Sequence, residues 1–374
     1  MQASTHSDQS QPSPTSAPSP SIEIVCSRHF LHWLHDQHIS LAFTTYQTHR
    51  LFLIGLKADG KLSAFERLFD RAMGLYATTE RLYMSSRYQL WQFENALAPD
   101  ELYNGYDKLY VPRMAHTTGD LDIHDVAVDY GQNVVFVNTL HSCLATLSDR
   151  YSFTPIWQPP FISRLAPEDR CHLNGLAMVA GKPRFVTAVS QSDVTAGWRE
   201  KRSSGGCLID AQSNEVILTG LSMPHSPRFY WDRLWLLNSG TGEFGYVDLD
   251  RGTFEPVTFC PGYLRGLAFH GDFAIVGLSK PRDRTFSGLP LEERLSVKEA
   301  ESRCGFMVID LSTGDIVHWL QFEGLITELY DVQVLPGVRC AMALGLRTDE
   351  ICRLITIDPQ GEGSEGVARI AIQP

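Results

Sequence analysis

The feature of this sequence that most constrains its fold is a recurring unit of short apolar strands. Each unit begins with one apolar strand, makes a tight turn rich in Gly, Asp, Asn or Pro, and continues into a second and a third strand. Aligned on the first strand, six units have these equivalent residues: Met73, His124, Asn174, His225, Arg265 and Tyr330. The steps between them are 51, 50, 51, 40 and 65 residues. Such spacing indicates a repeat architecture.

A repeat of about 40–50 residues with roughly four strands is typical of a β-propeller blade. One blade cannot bury both of its faces, whereas blades packed around an axis can, and closure removes exposed strand edges. The stretch before Met73, LAFTTYQTHRLFLIGLKADGKLSAFERLF, matches the later strands of a blade. The sequence therefore predicts an all-β propeller with six explicit repeats and a partial N-terminal one, and leaves six and seven blades open. A pair of β-sandwiches would not explain the spacing.

Composition narrows the cellular setting. The net charge of −11 argues against general nucleic-acid binding, because an acidic surface repels phosphates. The eight cysteines form no CxxC pair and mostly lie in apolar runs, as buried thiols of a reducing compartment do. No apolar run approaches the roughly 18 residues of a membrane span. We therefore predict a soluble, cytoplasmic protein that binds neither nucleic acid nor membrane.

The N-terminal residues differ from the rest of the chain. Residues 1–21 are rich in Ser, Pro and Gln and lack the basic start and apolar stretch of a signal peptide. They are predicted to be a disordered leader, and residues 22–374 a single propeller domain. The segment 28–38, RHFLHWLHDQH, is predicted to form one short helix.

One face of the predicted propeller carries most of the polar loops. The up-and-down strand order places the loops that lead into the first strands on the same face as the loops between second and third strands. The two longest insertions, 194–206 and 281–303, also fall on this face, whereas the opposite face has plain turns such as ADG and LDRG. Functional loops concentrate on one side of a rigid scaffold, so we place the function here. The alternative is that these loops are merely solvated.

Three histidines form the sharpest candidate site. His124 and His225 occupy the same blade position, and His172 precedes the equivalent Asn174 by two residues. Such positions lie near the axis, where three imidazoles could hold Zn²⁺ or Fe²⁺ and leave a position open for water. The alternative is a polar funnel of hydrogen-bonded side chains around water.

Two acidic residues follow the same blade position. Asp125 and Asp331 lie directly after His124 and Tyr330. They could orient metal ligands or act as catalytic bases, and they are the predicted catalytic residues.

Basic side chains also cluster on the predicted functional face. Arginine binds carboxylate, phosphate or sulfate groups with two parallel hydrogen bonds, so a small anionic ligand is predicted. The alternative is that these cations pair with Glu243, Asp349 and Glu350. The residues predicted to bind the ligand are Arg87, Asn174, Asn238, Arg265, Lys280, Tyr330 and Arg347, with Arg282 as a further cation on this face.

Several uninterrupted stretches are more specific than a generic blade. They are TYQTHRL, MSSRYQLWQFENAL, FVNTLHSCLATL, PPFISRLAPEDRCHLNGLA, SMPHSPR, LWLLNSGTGE, VGLSKPR and FSGLPLEE. Over residues 28–358 the chain resembles a bacterial family of uncharacterised conserved hypothetical proteins. The resemblance implies a propeller fold and no particular reaction.

A looser resemblance concerns one blade only. The NGLA stretch at Asn174 is similar to the start of a blade in the gluconolactonase and paraoxonase propellers, where an Asn and acidic residues hold a divalent cation. This chain has His124 and His225 where that pattern has acids or Asn. The resemblance therefore does not imply a calcium lactonase site.

Two functions fit these patterns. The first is a metal-assisted hydrolase, lyase or oxygenase that acts on a small anionic molecule or a peptide, with the two long insertions as a lid that excludes water. The second is a propeller that binds a ligand or a partner protein without catalysis. The sequence does not choose between them.

Overall fold

The fold is built around six inner strands, which recur along the chain at about the predicted spacing. The computed structural model describes residues 22–280, 288–357 and the strand at 369–372. The predicted leader, Arg282 and part of the second insertion lie outside the described residues. Within them, the strands build six sheets of four or five strands, antiparallel except for one parallel pair, and each has its innermost strand at one of the six predicted repeat starts. The protein is a six-bladed β-propeller.

Strands are numbered in chain order and blades by their position around the ring. Blade 1 contains β25 (Val332–Pro336), β2 (Ile39–Thr45), β3 (Arg50–Leu56) and β4 (Leu62–Leu68), from the axis outward. Blade 2 contains β5 (Leu75–Ala77), β6 (Arg81–Ser85), β7 (Gln89–Asn95), β8 (Lys108–Thr117) and β26 (Ala341–Ala343). Blade 3 contains β9 (Ile123–Val128), β10 (Val134–Asn138), β11 (Cys143–Thr146) and β12 (Thr154–Trp157).

The remaining blades follow the same inner-to-outer order. Blade 4 contains β13 (Leu173–Val179), β14 (Lys182–Ala188), β15 (Gly206–Asp210) and β16 (Glu215–Leu221). Blade 5 contains β17 (Pro224–Tyr230), β18 (Arg233–Asn238), β19 (Glu243–Asp248) and β20 (Thr253–Phe259). Blade 6 contains β21 (Tyr263–His270), β22 (Phe273–Ser279), β23 (Gly305–Asp310), β24 (Ile316–Gly324) and β1 (Ile22–Cys26). A hairpin of β27 (Leu354–Ile357) and β28 (Arg369–Ile372) forms a separate two-stranded sheet, with Leu354 packed against blade 2.

Helical structure is sparse. The predicted helix over 28–38 is present as α1 (Phe30–Asp36), and the other α-helices are α2 (Pro290–Val297) and α3 (Glu350–Arg353). Two 3₁₀ turns, Arg199–Lys201 and Ser239–Thr241, lie in loops. No helix among the described residues is long and apolar enough to cross a bilayer.

Closure of the ring resolves the blade number. β25, from the last repeat, pairs antiparallel with β2, from the partial N-terminal repeat, with Val332 opposite Phe43. The partial repeat and the last repeat are therefore one blade, and the count is six. A second connection is made by β1, which adds to the outer edge of blade 6 through β24.

The last repeat departs from the prediction. The segment after β25 was expected to continue the same blade, but β26 crosses to the outer edge of blade 2 and pairs parallel with β8. The inner strand of blade 1 has β2 as its neighbour, so the second-strand position is already occupied. β26 consequently forms the outer edge of blade 2.

Apolar side chains fill each of the six interfaces between neighbouring blades. The interface of blades 1 and 6 is the most aromatic, with Phe43, Phe52, Phe306 and Phe322 in contact. α1 joins this cluster through Phe30, Trp33 and Leu34, which are all buried. The other interfaces are lined mainly by Leu, Val and Ile from the inner three strands. Each blade thus buries both of its faces, which an isolated blade could not do.

Gly266 marks how tightly the inner strands pack at the axis. Its φ of +77° lies in the left-handed region, and a Cβ there would lie 2.6 Å from the Val332 nitrogen of blade 1. We predict that Gly266→Ala lowers the free energy of unfolding by at least about 3 kcal/mol, because backbone strain adds to a clash that neither blade can relieve. Denaturant unfolding of the purified variant measures the loss.

Gly60 provides a matched control, because its φ is +78° and nothing lies within 4 Å of an added Cβ. Gly60→Ala should cost only the left-handed strain, roughly 1–2 kcal/mol. Equal losses in the two variants would contradict the role given to inter-blade contact.

Candidate functional site

The inner strands carry three rings of equivalent residues, one below the other. The middle ring is the set aligned from sequence: Met73, His124, Asn174, His225, Arg265 and Tyr330. The upper ring lies two residues earlier: Arg71, Asp122, His172, Met223, Tyr263 and Glu328. The lower ring lies one residue later than the middle ring: Gly74, Asp125, Gly175, Ser226, Gly266 and Asp331. His172 therefore belongs to a different ring from His124 and His225.

Four of the six inner strands are preceded by a residue whose backbone has the left-handed conformation. Arg71, Asp122, His172 and Met223 have φ between 47° and 53°. Non-glycine residues seldom adopt this conformation, and it persists only where the surroundings impose it. Its recurrence in the upper ring shows that blades 2 to 5 begin with the same strained turn.

Contacts between non-neighbouring blades place the upper and middle rings at the axis. The rings of His124 in blade 3 and Tyr330 in blade 1 are 5.6 Å apart, although blade 2 separates these blades. His124 also contacts His172 of blade 4 edge to face, with ring centroids 4.9 Å apart. Three of the predicted site residues thus come together, as the repeat alignment indicated.

Arg265 lies among aromatic rings. Its guanidinium carbon is 4.6 Å from the Tyr330 ring centroid, 5.6 Å from that of Tyr263 and 5.9 Å from that of Tyr46. Arg265 is 8% exposed and, within the described residues, has no carboxylate within ion-pair distance. Burial opposes its charge, but the surrounding tyrosines, Glu328 and Asp122 raise the pKa of Arg265 above its ordinary value. The site therefore holds a buried cation.

The three histidines share one hydrogen-bonding arrangement. Nδ1 of His124 lies 2.9 Å from the Asp122 carbonyl oxygen, and Nδ1 of His225 lies 2.7 Å from that of Met223. A carbonyl can only accept, so both Nδ1 atoms carry the proton and both Nε2 atoms have a lone pair. Nδ1 of His172 faces both oxygens of Asp169 at 3.0 Å and donates in the same way.

Two of these imidazoles are neutral at physiological pH. Burial lowers the pKa of His124 to about 4. Burial, followed by the charge of Arg265, lowers the pKa of His225 well below its ordinary value. Burial likewise raises the pKa of Tyr330. The middle ring consequently presents one positive charge, Arg265, beside neutral polar groups.

Buried polar atoms without partners concentrate in the middle ring. Within the described residues, no hydrogen-bond partner is present for Asn174 Oδ1, His225 Nε2, Arg265 Nε or Tyr330 Oη. These residues come from blades 4, 5, 6 and 1, which are consecutive, and each is at most 8% exposed. Buried polar groups in folded proteins are nearly always paired, so this concentration marks a place prepared for an occupant.

The two long insertions cover the rings. In the first, Trp198 stacks on His172 with ring centroids 4.1 Å apart, and its Nε1 donates to Asp169 Oδ2 at 2.7 Å. In the second, Leu289 and Leu291 pack with Tyr263, Met223 and Trp198 in one buried cluster. The insertions also touch each other, because Ser203 Oγ donates to the Gly288 carbonyl at 3.2 Å. They therefore lie over the upper ring, on the predicted face.

Asp125 and Asp331 do not have the surroundings of catalytic bases. Asp125 accepts hydrogen bonds from the backbone of Val126 and Leu176, and Asp331 from that of Val332 and Leu75. Both carboxylates are at most 3% exposed. Every one of their oxygens already accepts from a backbone N–H, an arrangement that links neighbouring blades, and the catalytic role of these two residues stays a prediction.

Arg228 completes this network from a third blade. It donates to Asp125 at 2.8 and 3.1 Å and lies 3.9 Å from Asp331. Asp331, Asp125 and Arg228 belong to blades 1, 3 and 5, so the group closes the axis below the middle ring. Burial and the charge of Asp125 raise the pKa of Asp331 to about 7 despite Arg228.

The other predicted ligand-binding residues lie away from the axis or hold loops. Arg87 is half exposed and pairs with Asp70 at 3.0 Å, which is not one of the partners that the ion-pair alternative named. Asn238 accepts from the Ser222 backbone at 2.7 Å, and Lys280 follows β22, where its backbone N–H donates to Thr327. Arg347 is exposed in the segment that leads to α3, whose Glu350 pairs with Arg67 on an outermost strand. The structure does not bring Arg87 or Arg347 to the middle ring.

The histidines do not form the predicted Zn²⁺ or Fe²⁺ centre. In the described part of the chain, no group of three or more His, Cys, Asp or Glu side chains is arranged to hold a metal ion. His124 and His172 are neighbours, whereas His225 contacts Tyr263, with ring centroids 5.6 Å apart. His124 and His225 belong to blades 3 and 5, and the middle-ring position of blade 4 between them is occupied by Asn174.

Several residues of the site were not among the predicted ones. Asp169 and Trp198 hold His172, Tyr46 faces Arg265, and Arg228 lies below the middle ring. Tyr46 and Trp198 lie in loops that sequence places on this face, so loop position was a usable signal for them. Arg228 had none, because it lies inside an inner strand.

The fold and site define a class: a six-bladed β-propeller whose axis is lined by buried polar residues and covered by two loop insertions. The chain belongs to the family described as "Domain of unknown function (DUF4915)", whose family model matches residues 28–344. None of the curated proteins compared with the chain matches it.

Solved structures similar to this chain include one with a TM-score of 0.50, which supports the fold. The nidogen/laminin complex matches with a TM-score of 0.50 and 10% identity, over 80% of this chain and 99% of that chain. TolB from Acinetobacter baumannii matches with a TM-score of 0.45 and 10% identity, over 80% of this chain and 66% of that one. Virginiamycin B lyase from Staphylococcus aureus, solved with quinupristin, matches with a TM-score of 0.39 and 9% identity, over 81% and 99%. At these identities the similarity concerns the fold alone.

Arg228 gives a prediction for the axial network. Arg228→Met removes the cation that two buried carboxylates share, so we expect about 3–5 kcal/mol less stability at neutral pH. A raised pKa in the folded state means that Asp331 favours folding at low pH, and that this contribution disappears as the pH rises through about 7. The deficit of Arg228→Met should therefore grow between pH 5 and pH 8 in denaturant unfolding.

Arg81→Met is the matched control. Arg81 pairs with Glu94 at 2.9 Å on the outside of blade 2, where both side chains are partly exposed. Its loss should cost less than about 1 kcal/mol and show no growth over that pH range. A similar small loss in Arg228→Met would contradict the network.

Proposed function

We propose that this propeller binds a small organic carboxylate at its axis, among the middle-ring residues, with Arg265 as the counter-ion. The observation that carries the proposal is the row of buried, unpartnered polar atoms on Asn174, His225, Arg265 and Tyr330. A guanidinium without an ion pair at low exposure is costly, and a bound anion offsets that cost. The aromatic rings around Arg265 supply flat apolar walls, as ligand pockets commonly have.

A single negative charge fits the site better than a phosphate. Arg265 is the one cation of the middle ring, and the neighbouring imidazoles of His124 and His225 are neutral. A phosphate dianion would add a second negative charge close to Asp122 and Glu328, and Arg71 of the upper ring is already paired with Asp120 and Asp122. A carboxylate matches the two-pronged geometry of one guanidinium.

Arg265→Met tests the counter-ion. The variant keeps most of the side-chain volume and loses the charge, so carboxylate affinity should fall at least about 100-fold. Calorimetric titration of the full-length protein with a panel of mono- and dicarboxylates of two to eight carbons measures it. Circular dichroism and the thermal midpoint establish that the variant is folded.

Arg87→Met provides the control for surface charge. Arg87 lies on the same face, but it is half exposed and paired with Asp70. Its loss should leave carboxylate affinity within about two-fold. If both variants bind equally well, or if no carboxylate of the panel binds the wild type, the proposal is wrong.

A second function, proton transfer to or from the bound anion, is favoured by one observation. His172, held by Asp169 through Nδ1, lies beside the neutral His124, whose Nε2 has a lone pair. A carboxylate-held histidine is a general base of the usual kind, and no metal ion is required for that role. The catalytic alternative predicts slow exchange of a carbon-bound hydrogen of a bound carboxylate in D₂O, lost in His172→Gln while binding persists. Proton NMR follows the exchange, and its absence with every bound acid would leave a binding protein.

A further inference from the structure

The unpartnered atoms of the middle ring differ in whether they donate or accept hydrogen bonds, and acceptors and donors lie on different sides of the ring. Asn174 Oδ1 and His225 Nε2 can only accept hydrogen bonds, whereas Arg265 Nε can only donate. Tyr330 Oη can do either. The ring therefore runs from acceptors in blades 4 and 5 to a positively charged donor in blade 6.

Neighbouring contacts fix the acceptor side. Asn174 Nδ2 donates to the Pro224 carbonyl at 3.0 Å, which leaves Oδ1 as the unpaired atom and places it beside the start of the strand of His225. The bond from His225 Nδ1 to Met223 fixes the tautomer with a lone pair on Nε2. Asn174 is 3% and His225 4% exposed, so bulk water does not satisfy these atoms.

From this inventory, and resting on the proposed carboxylate site, we infer that the ligand is a hydroxy acid. Its carboxylate pairs with Arg265, and a neutral hydroxyl group donates to His225 Nε2, with Asn174 Oδ1 as a second acceptor for a further hydroxyl. A simple fatty acid would leave both acceptors buried and unpaired, which folded sites avoid.

An amino acid fits less well, because its ammonium group would need a carboxylate. Asp169 already accepts from His172 and Trp198, and Asp122 pairs with Arg71 at 3.3 Å. Glu328 accepts from the Gln47 backbone at 3.1 Å. The positive charge of Arg265 also acts on His225, so a second cation there is disfavoured. A hydroxyl group satisfies the acceptors without adding charge.

Matched acids test the inference on the full-length wild-type protein. Calorimetric titration compares lactate with propionate and alanine, and gluconate with hexanoate. For at least one of the two chain lengths, the hydroxy acid should bind at least about ten-fold more tightly than the matched acids that lack a hydroxyl group. In His225→Phe this preference should disappear while the carboxylate affinity that depends on Arg265 remains.

The outcomes separate this inference from the proposed function. Equal binding of hydroxylated and unsubstituted acids, or tighter binding of alanine, would overturn the hydroxy-acid inference and leave the carboxylate site standing. No binding of any acid would overturn both. Should His225→Phe fail to fold, Asn174→Leu removes the second acceptor and should reduce the preference for gluconate over hexanoate; an unchanged preference would count against the inference.

Discussion

The structure depends on how six inner strands fit around one axis. Blades 1, 3 and 5 present Asp331, Asp125 and Ser226 in the lower ring, and each side chain accepts a hydrogen bond from a backbone N–H of the next blade. Blades 2, 4 and 6 present Gly74, Gly175 and Gly266, where a Cβ would meet the following blade at 3.1 Å or less. Polar contact and close backbone contact alternate, so the unit that repeats at the axis is a pair of blades.

The lower ring thus forms a collar around the axis. This collar explains why the candidate site can hold unpaired polar atoms. His124, His225 and Tyr330 each directly precede a collar residue, so their backbones are fixed by hydrogen bonds to the next blade or by Arg228. An unsatisfied buried polar atom costs about 1–3 kcal/mol, and a flexible chain would rearrange to avoid that cost. A rigid scaffold prevents the rearrangement, which is how preorganised sites are maintained.

The repeat pattern was sufficient to predict the six inner strands and the face on which the described parts of the two long insertions lie, because strand periodicity and loop length are local properties. The course of the last repeat was not local. The apolar segment CAMALGL is compatible with a second strand of blade 1 and with an outer strand of blade 2. Its place is decided by the pairing of β2 with β25, which occupies the second-strand position of blade 1. Sequence also offered no means to see that Asp125 meets Arg228, since 103 residues separate them.

The histidines show the same limit at the scale of one residue. His124, His172 and His225 are close enough in the alignment to suggest one cluster, yet a shift of two positions moves His172 into the upper ring. There it meets Trp198 of the first insertion, and one carboxylate, Asp169, holds both the imidazole and the indole. The first insertion and the candidate site are therefore joined through the carboxylate of Asp169. Asp169 accepts from Trp198 on the insertion and from His172 on the blade, so loss of the Trp198 contact would leave His172 as the remaining one of these two donors. The orientation of the outermost imidazole is consequently tied to the position of the first insertion, and this coupling arises from the insertion rather than from the blades.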